Sequence, residues 1–163
     1  MPRMILKTMQ YKFAVFCLVL LVTLLQSRTS HAEVECQTAT GKVARAMFTT
    51  NIVNREPVDR VLILENTVRE LYFFTDLRQF EGQEITHRWE YDGKVVMEKS
   101  FAVKGPRWRV YSRTDLPAES TGRWTVLVLD GKGCALKAVV FEYIQQSADG
   151  PGPAIIGPPG TAQ

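Results

Sequence analysis

Titratable side chains that could do chemistry concentrate between residues 84 and 124. His87 is one of two histidines in the 163-residue chain, and an imidazole that titrates near neutral pH can act as an acid, a base or a metal ligand. On a strand with mostly apolar neighbours, the simpler alternative is a structural histidine satisfied by nearby groups. A Ser-His-Asp arrangement with Asp76 is conceivable, but no G-x-S-x-G motif is present to expose a serine. His87 is therefore a possible titrating residue, and we assign no catalytic residue.

A group of arginines is the second candidate: Arg88, Arg107, Arg109 and Arg123. Alternation along a strand places Arg107 and Arg109 on one face, opposite Trp108. If Arg88 lies on the same sheet, three guanidinium groups could bind a carboxylate or phosphate, so Arg88, Arg107 and Arg109 are our predicted ligand-binding set. The alternative is ion pairing across the sheet with Glu84, Glu90 or Glu98.

Two further groups have a weaker functional interpretation. Glu90 and Glu98 would resemble a glycosidase carboxylate pair, but we expect them on opposite faces of a hairpin. The three tryptophans could form a platform for sugar rings. Each shares a strand face with apolar residues, however, so we expect all of them in the core, namely Trp89, Trp108 and Trp124.

Two of the three cysteines are available for a disulfide, because Cys17 lies in the apolar N-terminal segment. In an oxidising compartment Cys36 and Cys134 can bond to each other. The alternatives are two free thiols or an intermolecular bond through Cys36. We predict no metal site, because two cysteines and His87 lack the spacing of a zinc motif, and no cofactor.

Residues 1–32 have the pattern of a secretory signal peptide. A basic start (Arg3, Lys7, Lys12) precedes the uncharged apolar run 13–25, and Ser30-His31-Ala32 places small residues at a cleavage site. The alternative is an uncleaved membrane anchor. As a helix the run spans only about 20 Å of a core about 30 Å thick. We therefore expect a periplasmic or secreted protein cleaved after Ala32.

Removal of this segment changes the charge of the chain. The whole sequence has 20 basic and 17 acidic residues. Residues 1–32 contain four of the basic and none of the acidic ones, which leaves 20 − 4 = 16 against 17, a net charge of −1. This balance does not favour a nucleic-acid partner, and we expect membrane contact only through an uncleaved N-terminus.

The remaining chain reads as one all-β domain. A polar lead-in at 33–42 precedes a domain at 43–144, and the Gly/Pro-rich tail 145–163 is predicted to be disordered. About seven short strands predict an antiparallel β-sandwich of immunoglobulin-like form, with a small closed barrel as the alternative. The first strand is predicted at 43–53, followed by a break at 54–59 and an edge strand at 61–64.

The hairpin around Asp92 and Gly93 can be predicted in register. A three-residue loop, Asp92 to Lys94, brings the apolar faces of both strands together. It pairs Tyr91 with Val95, Trp89 with Met97 and His87 with Lys99. This loop predicts a type I turn, with Gly93 left-handed and followed by a G1 bulge.

Several ordered motifs resemble the bacterial Domain of Unknown Function 2914 family. They are AMFTT at 46–50, REPVD at 55–59, YFFTDL at 72–77, THRWEY at 86–91, GPRWRV at 105–110 and GRWTV at 122–126. The resemblance covers about 43–143 and implies an exported or membrane-attached protein with a small β-rich domain and no assigned activity. It supplies no catalytic or ligand residue, and Cys36 and Cys134 are not part of the pattern.

The absence of a catalytic motif favours a non-enzymatic binding module in the cell envelope. Its partner would be an envelope protein or an anionic envelope polymer. Two alternatives stay open: a periplasmic hydrolase that uses His87, and a structural spacer tethered to the membrane by residues 13–25.

Overall fold

The structure is a computed structural model that describes Cys36, residues 40–146 and the backbone of 155–156. The predicted signal peptide, and with it the helix expected in residues 1–32, lies outside the described residues, as does most of the lead-in at 33–42. In the tail predicted to be disordered, Ile155–Ile156 form a short strand. The other residues of 147–163 are not described.

Two five-stranded sheets make up the domain. In spatial order, sheet 1 consists of β12 (Ile155–Ile156), β4 (Arg60–Val61), β1 (Lys42–Thr49), β6 (Glu70–Arg78) and β9 (Arg107–Asp115). Sheet 2 consists of β5 (Ile63–Glu65), β11 (Ala135–Ile144), β10 (Gly122–Asp130), β7 (Glu84–Tyr91) and β8 (Lys94–Ala102). A small hairpin pairs β2 (Ile52–Val53) with β3 (Glu56–Pro57). The sheets do not close into a barrel, so the sandwich prediction is confirmed.

Large aromatic side chains fill the space between the sheets. Phe48 contacts Phe73, Trp89 and Phe141, with ring centroids 5.0, 5.5 and 4.7 Å away. Trp89 and Trp124 are buried, as expected. Trp108 is only half-buried at the margin of this core, so the expectation that all three tryptophans are interior holds for two of them.

The chain crosses from one sheet to the other at Leu62. β4 pairs with β1 in sheet 1, and β5 pairs with β11 in sheet 2. The predicted edge strand 61–64 is therefore two short strands. The β5–β11 pairing is parallel, whereas the other pairings are antiparallel.

The first strand ends earlier than predicted because Asp59 binds the chain at its end. The Asp59 carboxylate accepts hydrogen bonds from Thr49 Oγ1 at 2.7 Å and from Thr50 N–H at 2.8 Å. These bonds are local alternatives to the sheet ladder. The chain turns at Thr50. In the hairpin that follows, β2 lies just before the predicted break 54–59, and β3 lies inside it.

The β7–β8 hairpin confirms most of the predicted register but not its turn. Trp89 lies opposite Met97 and His87 opposite Lys99, as expected, but Tyr91 pairs with Lys94. Asp92 and Gly93 both have positive φ, 49° and 71°, which is the two-residue type I′ turn rather than type I with a G1 bulge. The extra residue lies in β8, between Val95, which pairs with Glu90, and Met97, which pairs with Trp89.

The predicted disulfide is present. Cys36 and Cys134 are bonded, with Cα atoms 5.5 Å apart across 98 positions of sequence. Cys134 is buried in the turn before β11, and Asp130 Oδ1 accepts its backbone N–H at 2.9 Å. The bond attaches the segment before β1 in sheet 1 to the β10–β11 turn of sheet 2.

Candidate functional site

His87 lies in the core and not at a surface site. Its side chain is fully buried, with Nε2 3.0 Å from Thr75 Oγ1 and Nδ1 3.0 Å from Ser112 Oγ. Ser112 Oγ also accepts the indole N–H of Trp89 at 2.9 Å. Thr75 and Ser112 belong to sheet 1 and His87 to sheet 2, so the imidazole is a polar link between the two layers.

The environment of His87 makes it a weak base. Burial lowers its pKa from 6.5 to about 3, because a charged imidazolium would lose its hydration. A general base works best when its pKa is near the working pH. Asp76, the acid considered for a triad, bonds to Arg78 and Arg107 and not to His87. The described contacts fit a satisfied structural histidine.

The structure separates Arg88 from Arg107 and Arg109, contrary to the predicted ligand-binding set. Arg88 lies on β7 of sheet 2, where its Nε donates to Glu98 Oε1 at 2.5 Å. Arg123 also lies in sheet 2 and pairs with Glu142 at 3.4 Å. For Arg88 the alternative of cross-strand pairing with Glu98 is confirmed, whereas Arg123 pairs across strands with a glutamate that was not predicted.

The expectation that Glu90 and Glu98 lie on opposite faces was also wrong, because the confirmed pairing of Trp89 with Met97 already places both on one face. Glu98 lies opposite Arg88, and Arg88 shares a strand face with Glu90 because side chains alternate along β7. Both glutamates are therefore on the outer face of sheet 2.

Arg107 and Arg109 do share the outer face of sheet 1, and each binds a carboxylate. Asp76 is 1 % exposed and accepts from Arg107 Nη2 at 3.0 Å and from Arg78 Nε at 2.8 Å. Burial opposes ionisation of this carboxyl, but the hydrogen bonds from Arg78 and Arg107 outweigh it and lower its pKa. Asp76 is thus a charged anchor for two arginines.

Glu56 also binds two arginines on the outer face of sheet 1. Its carboxylate accepts from Arg45 Nη2 at 2.6 Å and also from Arg109 Nη1. Burial acts to raise its pKa, but the two guanidinium groups outweigh burial and lower it. Because Glu56 is in β3, this contact ties the small β2–β3 hairpin to the arginine-bearing face. Phe74 beneath is fully buried, with the Arg45 guanidinium 4.8 Å from its ring centroid.

A groove follows the arginine-bearing strand. It has a volume of about 670 Å³ and is lined by residues 107–111 of β9, by Phe101 and Ala102 of β8, and by Arg55. A second depression of about 420 Å³ is lined by Tyr111, Ser112 and Arg113 of β9 and by Met97 and Lys99 of β8, among others. Tyr111 borders both, and we call the two together the β9 groove. Residues 107–113 of β9 all line it.

Arg55 reaches the β9 groove from a strained turn. Asn54 and Arg55 have φ of 52° and 64°, the left-handed pair of a type I′ turn, in which the second position is usually glycine. A left-handed conformation costs a non-glycine residue about 1–2 kcal/mol. Arg55 is exposed and forms no salt bridge with another described residue. Its side chain is therefore available to a ligand.

Neither a metal site nor a membrane span emerges from the part of the chain that the structure describes. No group of three or more His, Cys, Asp or Glu residues there could hold a metal ion. No helix in the same residues is long and apolar enough to cross a membrane. The predicted apolar run 13–25 lies outside them.

Sequence reasoning missed the residues that complete the groove. Arg55, Phe101 and Tyr111 come from three separate elements, and their distance along the chain hides their proximity. One signal was available in the sequence: Arg55 follows Asn54, at the position where a type I′ turn favours glycine. The half-buried position of Trp108 follows from β9 being an edge strand, which the alternation pattern alone does not reveal.

Comparison with known proteins supports the resemblance found in the sequence. A model of the family described as "Protein of unknown function (DUF2914)" matches residues 82–143. The match spans β7 to β11 and so includes β8 and β9, which supply most of the groove's lining, but not Arg55 or Tyr72. No curated protein matches the chain.

Proposed function

We propose that this DUF2914 domain, matched over residues 82–143, is a non-enzymatic binding module that takes an anionic ligand in the β9 groove. One observation carries the proposal: Arg55, Arg107 and Arg109 converge on a groove that also presents Phe101 and the half-buried Trp108. Such a mixture of apolar wall and convergent polar groups is typical of binding sites.

The charge around the groove supports an anionic ligand. Arg107 and Arg109 share their carboxylates with Arg78 and Arg45. With Arg55 the group has five guanidiniums against the two carboxylates of Asp76 and Glu56, a surplus of 5 − 2 = +3. The carboxylates hold the arginines in place without neutralising them. A positioned guanidinium retains donors for a further carboxylate or phosphate.

The proposed setting is the bacterial cell envelope. The signal-peptide pattern of residues 1–32 favours export with cleavage near Ala32, and a Cys36–Cys134 disulfide suits an oxidising compartment. The partner would be an envelope protein or an anionic envelope polymer, and no cofactor is required.

The two alternatives have less support. A hydrolase based on His87 would need substrate access to a fully buried imidazole with a pKa of about 3. The tethered spacer depends on residues 13–25, which lie outside the described residues. Neither alternative gives a role to the surplus charge at the β9 groove.

The test uses two groove variants and one matched control. Arg55→Gly and Arg113→Ala each remove one guanidinium from the groove, and Arg123→Ala removes one from sheet 2. Arg113 and Arg123 are comparable, because each is exposed on a strand and pairs with a single glutamate. Binding of fluorescent poly-L-glutamate and of alginate is measured by anisotropy. We expect affinity for at least one polymer to fall about three- to tenfold for each groove variant, and the loss to shrink at high salt.

Stability measurements separate lost binding from lost structure. We expect Arg55→Gly to keep or raise the thermal midpoint, because relief of the left-handed strain offsets the flexibility that glycine adds to the unfolded chain. The proposal fails if Arg55→Gly and Arg113→Ala bind both polymers as tightly as the unaltered protein. It fails equally if Arg123→Ala loses as much affinity as they do.

A further inference from the structure

The edge of β9, which pairs with no further strand among the described residues, is the second feature of the groove. β9 ends the order of sheet 1 and β8 ends the order of sheet 2, and both strands line the same groove, so they lie on the same side of the domain. The seven consecutive residues 107–113 line the groove. In a strand, consecutive side chains point to opposite faces, so a surface that touches every residue is the strand's edge and not one of its faces.

The register shows which backbone groups that edge offers. Gln79 N–H donates to Pro106 O at 2.9 Å at one end of the β6–β9 pairing, and Leu116 N–H donates to Arg69 O at 2.8 Å at the other. These two bonds mark hydrogen-bonded pairs, and such pairs alternate with non-hydrogen-bonded pairs. The unbroken register between them makes Arg78–Arg107 and every second pair after it non-hydrogen-bonded. Residues 107, 109, 111 and 113 therefore direct their N–H and C=O groups away from β6, into the groove.

β9 lacks three of the features by which edge strands usually avoid a new partner, namely a proline, a bulge and an inward-pointing charge, and the charges it does carry are on its outer face. Within 107–115 there is no proline, and the pairing with β6 has no bulge. The neighbouring edge strand, β8, does have a register shift, near Val95. The inward positions of β9 are Trp108, Val110, Ser112 and Thr114, so no charge points inward to oppose docking.

We infer that the β9 groove binds an extended acidic peptide segment, which adds to sheet 1 as a strand beside β9. The segment alternates acidic and apolar residues. Its acidic side chains lie beside Arg107, Arg109 and Arg113 on the outer face, and its apolar ones face Trp108, Val110 and Phe101. This inference rests on the proposed function and names the ligand class of the same site.

Charge argues against a second copy of this chain as the added strand. In most antiparallel registers, pairing β9 with β9 would place outer-face arginines opposite one another, and at most one arginine of each strand would meet Asp115; like charges opposite each other destabilise a sheet. An acidic strand turns the same positions into opposite-charge pairs, each favourable in a sheet.

The experiment uses three synthetic peptides and the folded, oxidised domain. The first alternates glutamate and valine over eight residues. The second is N-methylated on the backbone of every glutamate, and the third on every valine. In an antiparallel addition the glutamates opposite Arg107 and Arg109 donate their own N–H groups to β9, whereas the valine N–H groups point away. We expect glutamate methylation to weaken binding about a hundredfold and valine methylation to change it little. In a parallel addition the valine N–H groups donate to β9 instead, so valine methylation weakens binding and glutamate methylation changes it little.

Hydrogen exchange on the complex gives an independent measurement. The amide groups of Arg109, Tyr111 and Arg113 should gain protection on peptide binding. Those of Val110 and Ser112, already bonded to β6, should be protected before the peptide is added. A ligand held only by side chains would not produce this alternation.

Each outcome of these measurements has one meaning. Loss of binding with one methylated set alone, together with alternate amide protection, supports strand addition. Equal effects of both sets, or no new amide protection, overturn it, as does binding of alginate without the peptide. In those cases a groove that still depends on Arg55 and Arg113 keeps the proposed function as a side-chain anion site. If binding is independent of both arginines, the proposed function falls as well.

Discussion

At the scale of single residues, His87 couples the stability of the domain to pH. Its imidazole is held neutral between Thr75 and Ser112, and its pKa falls from 6.5 to about 3 on folding. Between these two values the unfolded chain binds a proton that the folded chain does not. The contribution of His87 to folding stability is therefore fully present above about pH 6.5 and is lost as the pH falls toward 3.

We expect the free energy of unfolding to fall by up to about 1.4 kcal/mol per pH unit from this residue alone. Urea denaturation at several pH values between 4.5 and 7 measures it. Folding lowers the pKa values of Asp76 and Glu56 from 3.8 and 4.5. The stability that these two carboxylates contribute is therefore lost mainly below the pH range of this measurement.

The control is His87→Gln, which keeps a polar group but cannot titrate. This variant should be less stable at pH 7 and should show a shallower dependence on pH. Parallel pH curves for the two proteins would contradict a buried neutral His87.

Sequence reasoning anticipated part of this residue chemistry. The alternation around His87 was enough to favour a satisfied structural histidine. The partners of Arg107 and Arg109 were not foreseeable, because Asp76 and Glu56 lie 31 and 53 positions away along the chain. Ion pairs at such separations depend on strand order, which alternation does not determine.

At the scale of elements, the β7–β8 hairpin shows how a correct principle led to a wrong turn. The two apolar faces must coincide, so one extra residue has to be accommodated. We placed that residue in the loop, whereas the chain places it in β8 as a bulge beyond the turn. Both solutions align Trp89 with Met97. The pattern determines the alignment of the faces and not where the extra residue is absorbed.

Gly93→Ala tests the observed turn. Gly93 has φ of 71°, and a Cβ there would meet no atom within 4 Å. The cost is therefore purely conformational, and we expect the free energy of unfolding to fall by about 1–2 kcal/mol. Thermal denaturation of the purified domain measures this loss.

Gly131→Ala is the matched control at the next hairpin. Its φ is not in the positive range, and its added Cβ would make only an ordinary contact at 3.7 Å with the Glu84 carbonyl oxygen. The control variant should be nearly neutral. Equal losses at Gly93 and Gly131 would argue against the left-handed turn.

At the scale of the whole molecule, periodicity predicted the layers but not the crossings. Short alternating strands with buried aromatics sufficed for a two-sheet sandwich. The switch of sheets at Leu62 and the folding of the β2–β3 hairpin over the arginine-bearing face depend on tertiary contacts. Glu56, which ties this hairpin down, showed no local sign of that role.

Removal of the disulfide tests the largest covalent constraint. Closing a loop of 98 residues is worth about 4–5 kcal/mol in the chain-entropy model. We expect the Cys36→Ser, Cys134→Ser double variant to lose stability of this order in guanidinium denaturation. Reduction of the unaltered protein should give a similar loss. Unchanged stability on reduction would show that the bond does not constrain the chain in solution.

The same covalent bond sets how the domain would respond to mechanical force. Tension applied between points before Cys36 and after Ile144 passes through the disulfide directly into β11, and the 98 positions between the two cysteines carry no load. Under such a pull β11 itself carries the tension, already extended between β10 and its parallel neighbour β5, so the domain lengthens little. About 330 Å of extensible chain stays stored behind the bond, so a reducing agent would convert a short, stiff connector into a long one.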